Sequence, residues 1–413
     1  MRWHNARVAP MTKDAVEDKD VGPTQRLFQR DFMLLMVINF LVMTAVTTQM
    51  GTLPLYVTQL GGHATIAGLV VGIWGLSALV ARIPVGKIID RFGRKQLVLI
   101  GLFILAADFS LLIFYSALVG LVVLRALQGV GNGTQSTAVA TMVADQLPPQ
   151  KLSVGLGYFS ISQTLPAAIG PAIGLFFVNR WGFQSLFYFN LTLVLIALSC
   201  TFFVHESYER PVQENTTIVM HQPFGDLLFQ VEVWVPSLII FVASFANAAV
   251  AAFLVQFGYE KHLPLTLVGL SFTVQAIIGV GARLWFAQLY QAVETVVLIA
   301  SSIVLIASAY LLIAWSQGVF GLLIAGGLDG LGFALLMPLL NGVVLGHVLP
   351  MQRGRATAIF SSGNDVAYGM GAILWGVFAS CFGYFWLYCC AASLVLATLY
   401  LIWRYRKVLQ QAR

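Results

Sequence analysis

The sequence has few charged residues for its length. Asp, Glu, Lys and Arg together make up 10% of the 413 residues, whereas 59% of the residues are hydrophobic. Soluble globular domains carry about 25% charged residues, so this composition excludes an ordinary soluble protein and indicates a membrane protein. The formal net charge of +6 is then an orientation signal in a membrane, and no nucleic acid partner is expected.

Cysteine is also scarce. The four cysteines lie in or beside apolar runs and lack the spacing of a metal site or a disulfide framework; they are Cys200, Cys381, Cys389 and Cys390. We interpret them as small packing residues. The sequence contains no catalytic triad, metal-ligand cluster or nucleotide-binding loop either, so we expect neither an enzyme nor a bound metal or cofactor.

Long apolar runs dominate what is present. A helix needs about 20 apolar residues to cross the hydrocarbon of a bilayer. Hydropathy predicts six spans in the first half of the chain, at about 32–57, 64–86, 96–116, 118–143, 153–178 and 184–204. Six more follow, at about 234–257, 266–290, 294–314, 319–345, 355–379 and 384–404. An even number of spans places both termini on the same side of the bilayer.

Polar stretches divide the chain into five parts. We predict a tail at 1–31, a first bundle at 32–204, a linker at 205–233, a second bundle at 234–404 and a tail at 405–413. The first tail has no apolar core and so does not resemble a signal peptide. Most Lys and Arg residues outside the spans fall on the side of the termini, which the positive-inside rule identifies as cytoplasmic.

The two halves match each other at a constant offset of 201 residues. Glycine, proline and arginine positions recur without a gap through five helices, which indicates an internal repeat. The matched positions are Gly68 and Gly269, Arg82 and Arg283, Gly129 and Gly330, Gly131 and Gly332, Pro149 and Pro350, Gly170 and Gly371, and Gly182 and Gly383.

A charged stretch, Gly86–Lys95, separates the second and third spans, and we call it the hinge. It reads GKIIDRFGRK and lies between two long apolar runs, so its cations must be at a membrane surface. Gly86 and Gly93 allow a turn, and Asp90 can accept hydrogen bonds from arginine or from a helix N-terminus. At the repeat offset, Gln291 and Glu294 stand opposite Asp90 and Gly93, so the hinge occurs once.

Three motifs resemble those of the major facilitator superfamily. The hinge is similar to that family's G-x-L-a-D-r-x-G-r-k loop between helices two and three, with Ile88 in place of the usual Leu. The fourth span resembles the family's R-x-x-Q-G-x-G motif. The fifth span resembles part of an antiporter signature through Gly157, Gly170, Pro171 and Gly174, although Pro166 and Leu175 replace two of its glycines.

The resemblance implies an all-α membrane protein with twelve transmembrane helices in two six-helix parallel-repeat bundles. It also implies a monomeric, multi-pass inner-membrane protein with cytoplasmic termini and a small-molecule substrate, energised by the proton gradient without a cofactor. In the family the hinge Asp, here Asp90, meets the start of helix eleven, near Gly354 and Arg355, and closes the cytoplasmic side. The expected gating residues are Gly86, Asp90, Arg91, Gly93, Arg94 and Lys95.

A polar stripe follows one face of the fourth span, because Arg125, Gln128, Asn132 and Gln135 occur at i, i+3, i+7 and i+10. Such a face is disfavoured in lipid, so it is expected to line a water-filled cavity or to contact another helix. We favour the cavity. Other polar residues expected to line it are Asn39, Gln49, Asn247, Gln256 and Asn341.

Three carboxylates lie inside predicted spans: Asp108, Asp329 and Asp365. An ionised Asp at mid-membrane costs about 2.5 to 3.5 kcal/mol, so each needs a partner, water or a proton. Asp329 falls on Gln128 at the repeat offset. It is therefore our candidate for the coupled proton, converging with Arg125 and Gln128 on a central cavity. The alternative is a permanent hydrogen bond or ion pair with a neighbouring helix.

These features predict a secondary transporter that exports small amphipathic compounds, such as drugs or metabolites, in exchange for protons. A proton-coupled importer of a sugar or organic acid is the first alternative, and a membrane sensor that has kept the fold is the second. An importer of anions would need more than one cation on the cavity helices, and the sequence indicates Arg125 alone.

Overall fold

A computed structural model of the chain describes residues 29–114, 117–147, 152–206, 230–348 and 353–410. The side chains at positions 87, 90, 91, 152–154, 284–292, 353–355, 357 and 358 are outside this description. Most of the predicted linker and of the two predicted tails also lies outside it. The domain boundaries therefore remain predictions.

The described chain is helical throughout its spans. The first half contains α1 (Arg30–Thr47), α2 (Thr52–Gln59), α3 (Ala64–Phe92), α4 (Arg94–Phe114), α5 (Leu118–Gln146), α6 (Leu152–Trp181) and α7 (Phe183–Phe202). The second half contains α8 (Val231–Glu260), α9 (Leu265–Ala292), α10 (Thr295–Trp315), α11 (Val319–His347), α12 (Arg353–Arg404) and α13 (Arg406–Gln410).

These helices make twelve crossings. Ten candidate spans in the described chain are long and apolar enough to cross a membrane, and α1 with α2 forms the first of them. The tenth, Ile359–Arg404, has 46 residues, enough for two crossings, and Gly383 breaks it with a φ of 78° and a ψ of 170°. The polar helix α5, with 29 residues, supplies the remaining crossing. The predicted twelve-helix fold is confirmed.

The helices pack as two bundles. Within the first half, α3 and α4 contact α5, and α1 contacts α6 and α7. Within the second half, α9 and α10 contact α11, and α8 contacts α12. The larger contacts between the halves are made by α3 with α12 and by α6 with α9. We call the α3–α12 contact the first seam and the α6–α9 contact the second seam.

Both seams close the end of the molecule away from the hinge, which we call the far side. In the first seam, the Oγ1 atom of Thr65 lies 2.8 Å from the Oγ atom of Ser380. In the second, Asn179 Nδ2 donates to Thr266 Oγ1 at 2.8 Å. Thr65 and Thr266 are 201 residues apart, as are Asn179 and Ser380. The contacts therefore follow the repeat offset found in the sequence.

The next level of each seam contains a glycine. A Cβ atom on Gly68 would overlap the carbonyl oxygen of Ala372 and would lie 2.9 Å from Gly376 Cα. Gly269, its repeat equivalent, faces Leu175, whose Cδ1 atom lies 2.6 Å from the Cβ position. Leu175 is the repeat equivalent of Gly376. A backbone-to-backbone contact in the first seam thus becomes a side-chain contact in the second.

Candidate functional site: the hinge-side cavity

Three cavities with polar lining lie on the side of the hinge, whereas an apolar space of about 300 Å³ between α3 and α5 lies on the far side. One cavity of about 480 Å³ is lined by Arg283, Met337, Pro338, Asn341, Phe360 and Ser361. A second, of about 560 Å³, lies in the first half and is lined by Arg82 together with Ser136, Thr137, Thr141 and Gln163. A third, of about 510 Å³, lies between α6 and α9 and shares Arg283 with the first cavity. We call it the α6–α9 cleft.

Arg82 joins the two halves at the cavity. Its Nη1 atom lies 2.6 Å from Asp365 Oδ2, and the two side chains are 41% and 35% exposed. The pair extends the first seam, because Arg82 is on α3 and Asp365 is on α12. Asp365 is therefore charge-compensated in this conformation. Its neighbour Asn364 accepts a hydrogen bond of 2.5 Å from Ser244 within the second half.

Arg283 occupies the equivalent place in the second seam. It is exposed and lines both the second-half cavity and the α6–α9 cleft. Among the described residues it forms no ion pair or hydrogen bond. The residue equivalent to Asp365 at the offset is Thr164, which lines the same cleft.

Arg125 lies in a buried polar cluster inside the first half. Its guanidinium donates to Gln49 Oε1 at 2.9 Å, to Gln128 Oε1 and to the carbonyl oxygen of Val70 at 3.3 Å. Gln128 in turn donates to Asp108 Oδ2 at 3.0 Å. All four polar side chains of this cluster, on α1–α2, α4 and α5, are at most 3% exposed.

Asp329 lies in a second buried cluster inside the other half. Its Oδ2 atom accepts hydrogen bonds from Asn247 Nδ2 at 2.9 Å and from Gln275 Nε2 at 2.6 Å. Asn247 also lies 3.3 Å from the hydroxyl group of Tyr310. Asp329 is 1% exposed. Asp329 and Gln128 therefore hold equivalent places, and each bonds to the first helix of its own bundle. Asp329 bonds in addition to the second helix, and Gln128 to the third.

The expected meeting of Asp329 with Arg125 and Gln128 in a central cavity does not occur in this conformation. Each group is held inside its own bundle by hydrogen bonds with amide side chains on neighbouring helices. Asn132 and Gln135 are also buried, at 1% and 0% exposure, so the stripe contacts helices rather than the cavity. Asn39 donates to Ser162 Oγ at 2.8 Å across α1 and α6.

Of the amides predicted to line the cavity, Asn341 does so. Gln256 instead holds the far side, where it donates to the carbonyl oxygen of Pro54 at 2.8 Å and to Thr58 Oγ1 at 2.9 Å. Sequence reasoning missed Arg82 and Arg283 as lining residues. Their recurrence at the repeat offset was the signal that could have identified them.

The hinge is fastened inside the first half. Gly93 ends α3 with a φ of 88° and a ψ of 145°, and Arg94 Nε lies 2.6 Å from Asp145 Oδ2. Glu206 accepts a hydrogen bond of 2.6 Å from the backbone N–H of Arg94, as expected at a helix N-terminus. Lys95 Nζ donates to the carbonyl oxygens of Phe202 and Val204 at 3.0 and 2.8 Å.

The proposed gate lies outside the described side chains. Asp90, Arg91 and Arg355 have no described side-chain positions, so the expected contact of Asp90 with the start of helix eleven, at Gly354 and Arg355, stays a prediction. A Cβ atom on Gly86 would meet no atom within 4 Å.

The glycines of the fifth span pack against α1. A Cβ atom on Gly170 would overlap Thr47 Oγ1, and one on Gly174 would overlap the carbonyl oxygen of Thr48. Gly157 has no neighbour within 4 Å of its Cβ position. The α6 helix also contains Pro166 and Pro171, and Thr47 Oγ1 donates to the carbonyl oxygen of Pro166 at 2.9 Å.

The described residues offer no metal site, because no group of three or more His, Cys, Asp or Glu side chains among them is placed to hold an ion.

Curated relatives cover most of the chain. It is 26% identical over 387 residues to the staphylopine export protein of Staphylococcus aureus (strain Mu50 / ATCC 700699), covering 88% of this chain and 93% of that protein. It is 26% identical over 377 residues to the multidrug resistance protein MdtG of Salmonella dublin, covering 86% of this chain and 90% of that protein.

Solved structures share the fold. The nucleoside transporter NupG superposes with a TM-score of 0.77 at 15% identity, covering 90% of this chain and 99% of that chain. A bacterial homologue of the human lysosomal transporter Spinster, in an inward-facing and unoccupied conformation, superposes with a TM-score of 0.70 at 13% identity, covering 94% and 96%. The family model of the Major Facilitator Superfamily matches residues 35–298 and 237–412. The chain therefore belongs to the major facilitator superfamily of membrane transporters.

Proposed function

We propose that this protein exports small amphipathic compounds by alternating access and couples export to inward proton movement. The observation that carries the proposal is the closure of both seams on the far side, combined with cavities on the hinge side lined by residues of both halves. A substrate can occupy these cavities while the far side is shut. Rocking of the bundles would then part the seams and expose the substrate to the far side.

The direction of transport follows from two further points. The positive-inside rule places the hinge side in the cytoplasm, so this conformation would load substrate from there. The relatives named for staphylopine export and for multidrug resistance support export over import. We infer a multi-pass protein of the inner membrane, active as a monomer, with both termini cytoplasmic.

The lining of the α6–α9 cleft supports the proposal of an amphipathic substrate. Ile161, Leu165 and Ile277 form an apolar wall, and Arg283 stands at one end of it. Such a surface suits a molecule with one apolar face and one polar group.

Asp329 is our proposed proton carrier. It is buried, its described partners are the neutral amides of Asn247 and Gln275 and the neutral hydroxyl of Tyr310, and no described cation forms an ion pair with it. A carboxylate without a cation is costly in the membrane interior, so a bound proton neutralises it there. Asn247 on α8 and Gln275 on α9 belong to the same bundle as Asp329, so release of the proton would require these helices to shift within the bundle as the two bundles rock.

Asp108 is a weaker candidate. Its cluster contains Arg125, which Gln128 connects to it, so the positive charge it needs is already present. Gln128 holds the position equivalent to Asp329 in the first half, but an amide does not bind and release a proton, so the first half would not carry the coupled proton.

The test is transport in everted membrane vesicles over a panel of dyes, drugs and metabolites, with and without an uncoupler. We expect uphill accumulation of at least one amphipathic compound, abolished by the uncoupler. The Asp329→Asn variant is expected to retain substrate binding and to lose uphill accumulation. The Glu294→Gln variant, whose exposed carboxylate accepts a hydrogen bond from Gln410 outside the cavity, is the control and should keep coupling. Normal uncoupler-sensitive accumulation by Asp329→Asn would reject Asp329 as the carrier.

A further inference from the structure

The two seams differ in net charge beside the cavity. Arg82 and Arg283 are equivalent at the repeat offset, but Arg82 is neutralised by Asp365 at 2.6 Å. The position equivalent to Asp365 in the second seam is Thr164, which has no charge. Arg283 therefore carries an uncompensated positive charge among the described residues.

The surroundings of Arg283 contain groups that can complete an anion site. Asn341 and Ser361 line the adjoining cavity with it. Ser160 and Thr164 line the α6–α9 cleft, but their hydroxyl groups already donate to the carbonyl oxygens of Gly157 and Ser160 at 2.6 and 2.9 Å. Hydroxyl and amide groups donate hydrogen bonds to an anion, and a guanidinium group can donate two parallel hydrogen bonds to a carboxylate or phosphate. Asn341 can donate to an anion through its Nδ2 group. Its Oδ1 atom, which is buried without a hydrogen-bond partner in the described part of the chain, is an acceptor and takes no part in binding the anion.

The charges that line the three cavities point to the same chemistry. Their charged lining residues are Arg82 and Arg283, and no described carboxylate lines them. With Arg82 paired to Asp365, Arg283 is the one unpaired charge among the described lining residues, and a cleft with low-dielectric walls strengthens its attraction for an anion.

We propose that Arg283 binds the anionic group of an amphipathic substrate, a carboxylate or phosphate, while its apolar part lies in the α6–α9 cleft against Ile161, Leu165 and Ile277. This inference rests on the proposed transport function and narrows its substrate class to singly charged amphipathic anions. The Arg82–Asp365 pair is the internal model for the contact: the substrate supplies to Arg283 the negative charge that Asp365 supplies to Arg82.

The experiment measures binding and does not depend on transport. The probes are dansylglycine, which has a carboxylate, and dansylglycinamide, its neutral counterpart. Binding to the purified full-length protein in phosphatidylcholine nanodiscs is followed by dansyl fluorescence. We expect dansylglycine to bind about tenfold more tightly than the amide. Equal affinities, or no binding of either probe, would overturn the proposal.

Two variants test the position. Arg283→Gln should remove the preference for the carboxylate, whereas Arg180→Gln, which removes an exposed cation at the far end of α6, should keep it. Thr164→Asp places a carboxylate where the repeat has Asp365 and should also remove the preference, because it neutralises Arg283 internally. Its matched control, Thr164→Asn, should keep the preference. A preference retained in both Arg283→Gln and Thr164→Asp would overturn the assignment.

A further binding measurement tests whether the headgroup of an anionic lipid occupies the site. In nanodiscs that contain phosphatidylglycerol, the preference should persist if the site serves a substrate from the aqueous cavity. Its loss there would identify a lipid headgroup as the occupant and reject the substrate proposal. The binding test and the transport test can fail independently. Failure of proton-driven accumulation would reject the proposed function even if the carboxylate preference holds. Loss of the preference would reject this inference even if export is normal.

Discussion

The first and second seams close the far side with equivalent positions but different chemistry. Both begin with a polar pair, Thr65 with Ser380 and Thr266 with Asn179. One turn further in, the first seam brings backbone against backbone at Gly68, whereas the second places Leu175 against Gly269.

The contrast continues along the helices. Gly72 meets the backbone of Gly369, but at the equivalent positions Thr273 donates a hydrogen bond of 2.8 Å to the carbonyl oxygen of Ala168. Beside the cavity, the first seam has an ion pair, whereas Arg283 in the second seam has no ion-pair partner among the described residues. The first seam is therefore narrow and charge-balanced, and the second is wider, held by side chains and open to a ligand.

A cysteine at one position can report the opening of the far side. Val255, on α8, is 1% exposed and packs against Gly51 of the first half. A cysteine at Val255, in a chain whose four natural cysteines are replaced by serine, should react with a water-soluble maleimide when the far side opens.

The largest effect is expected from adding one carbon atom to the first seam. In Gly68→Ala the new Cβ would overlap the carbonyl oxygen of Ala372, which belongs to a helix backbone and cannot move independently. Overpacking typically costs about 1 to 3 kcal/mol, so we expect labelling of the reporter to rise and export to fall by about tenfold or more.

Gly269→Ala is the matched change in the second seam. Its new Cβ would lie 2.6 Å from Leu175 Cδ1, the end of a flexible side chain. Export should therefore fall by less than about threefold, since rotation of one leucine relieves the contact. Equal losses in the two variants would contradict the distinction between the seams.

The next effect concerns charge. Asp365→Asn makes the first seam like the second by leaving Arg82 without its carboxylate. Because both side chains are over a third exposed, the loss of the pair should change stability by less than about 1 kcal/mol. Binding should change more: we expect two equivalents of dansylglycine to bind where the unmodified chain binds one.

Titration of the probe by equilibrium dialysis measures that stoichiometry. The double exchange Arg82→Asp with Asp365→Arg should return it to one equivalent, because the pair is restored in reverse. A stoichiometry of one in Asp365→Asn would show that Arg82 cannot serve as the counterpart of Arg283.

A smaller effect is expected from the hydrogen bond of the second seam. Thr273→Val keeps the side-chain volume and removes the donor to Ala168, at a cost of about 1 kcal/mol. Labelling of the reporter should rise by about fivefold. Thr192→Val is the control, because that hydroxyl bonds to Tyr188 in its own helix, and it should leave labelling unchanged.

The smallest effects are expected at the outer polar pairs. Ser380→Ala removes the hydrogen bonds of Ser380 Oγ with the backbone N–H and the hydroxyl of Thr65, and Asn179→Ala removes the donor to Thr266. Both places are exposed, so water can replace the lost partners. Labelling should rise by less than about twofold in each, and by similar amounts. A large rise in labelling of either variant would show that the outer polar pair, and not the contact at Gly68 or Gly269, holds that seam closed.

Much of the helix pattern could be predicted from the sequence, because crossing the bilayer requires continuous apolar runs. The span predicted at 184–204 is α7, Phe183–Phe202, and the span predicted at 118–143 is α5, Leu118–Gln146. The turn between α1 and α2 was missed. Thr47 ends α1 and Thr48 begins the turn, and their contacts with Gly170 and Gly174 depend on a helix more than a hundred positions away in the sequence.

The polar residues were harder to place. Hydropathy indicates that Arg125, Gln128 and Asp329 must avoid lipid, but a water-filled cavity and a neighbouring helix both satisfy that requirement. Gln128 contacts neighbouring helices because Gln49 and Asp108 lie within hydrogen-bond distance of it. This requires three helices to be rotated about their axes so that these side chains face one another.

The sequence by itself determined that this protein is a helical membrane protein with an internal repeat, since span length and the 201-residue offset are properties of the chain alone. It also placed Arg82 and Arg283 at equivalent positions. The tertiary structure decided that Asp365 meets Arg82 and that Thr164 lies in the cleft with Arg283. Charge compensation depends on distance across the interface between the halves, and that distance is set by how the two bundles pack.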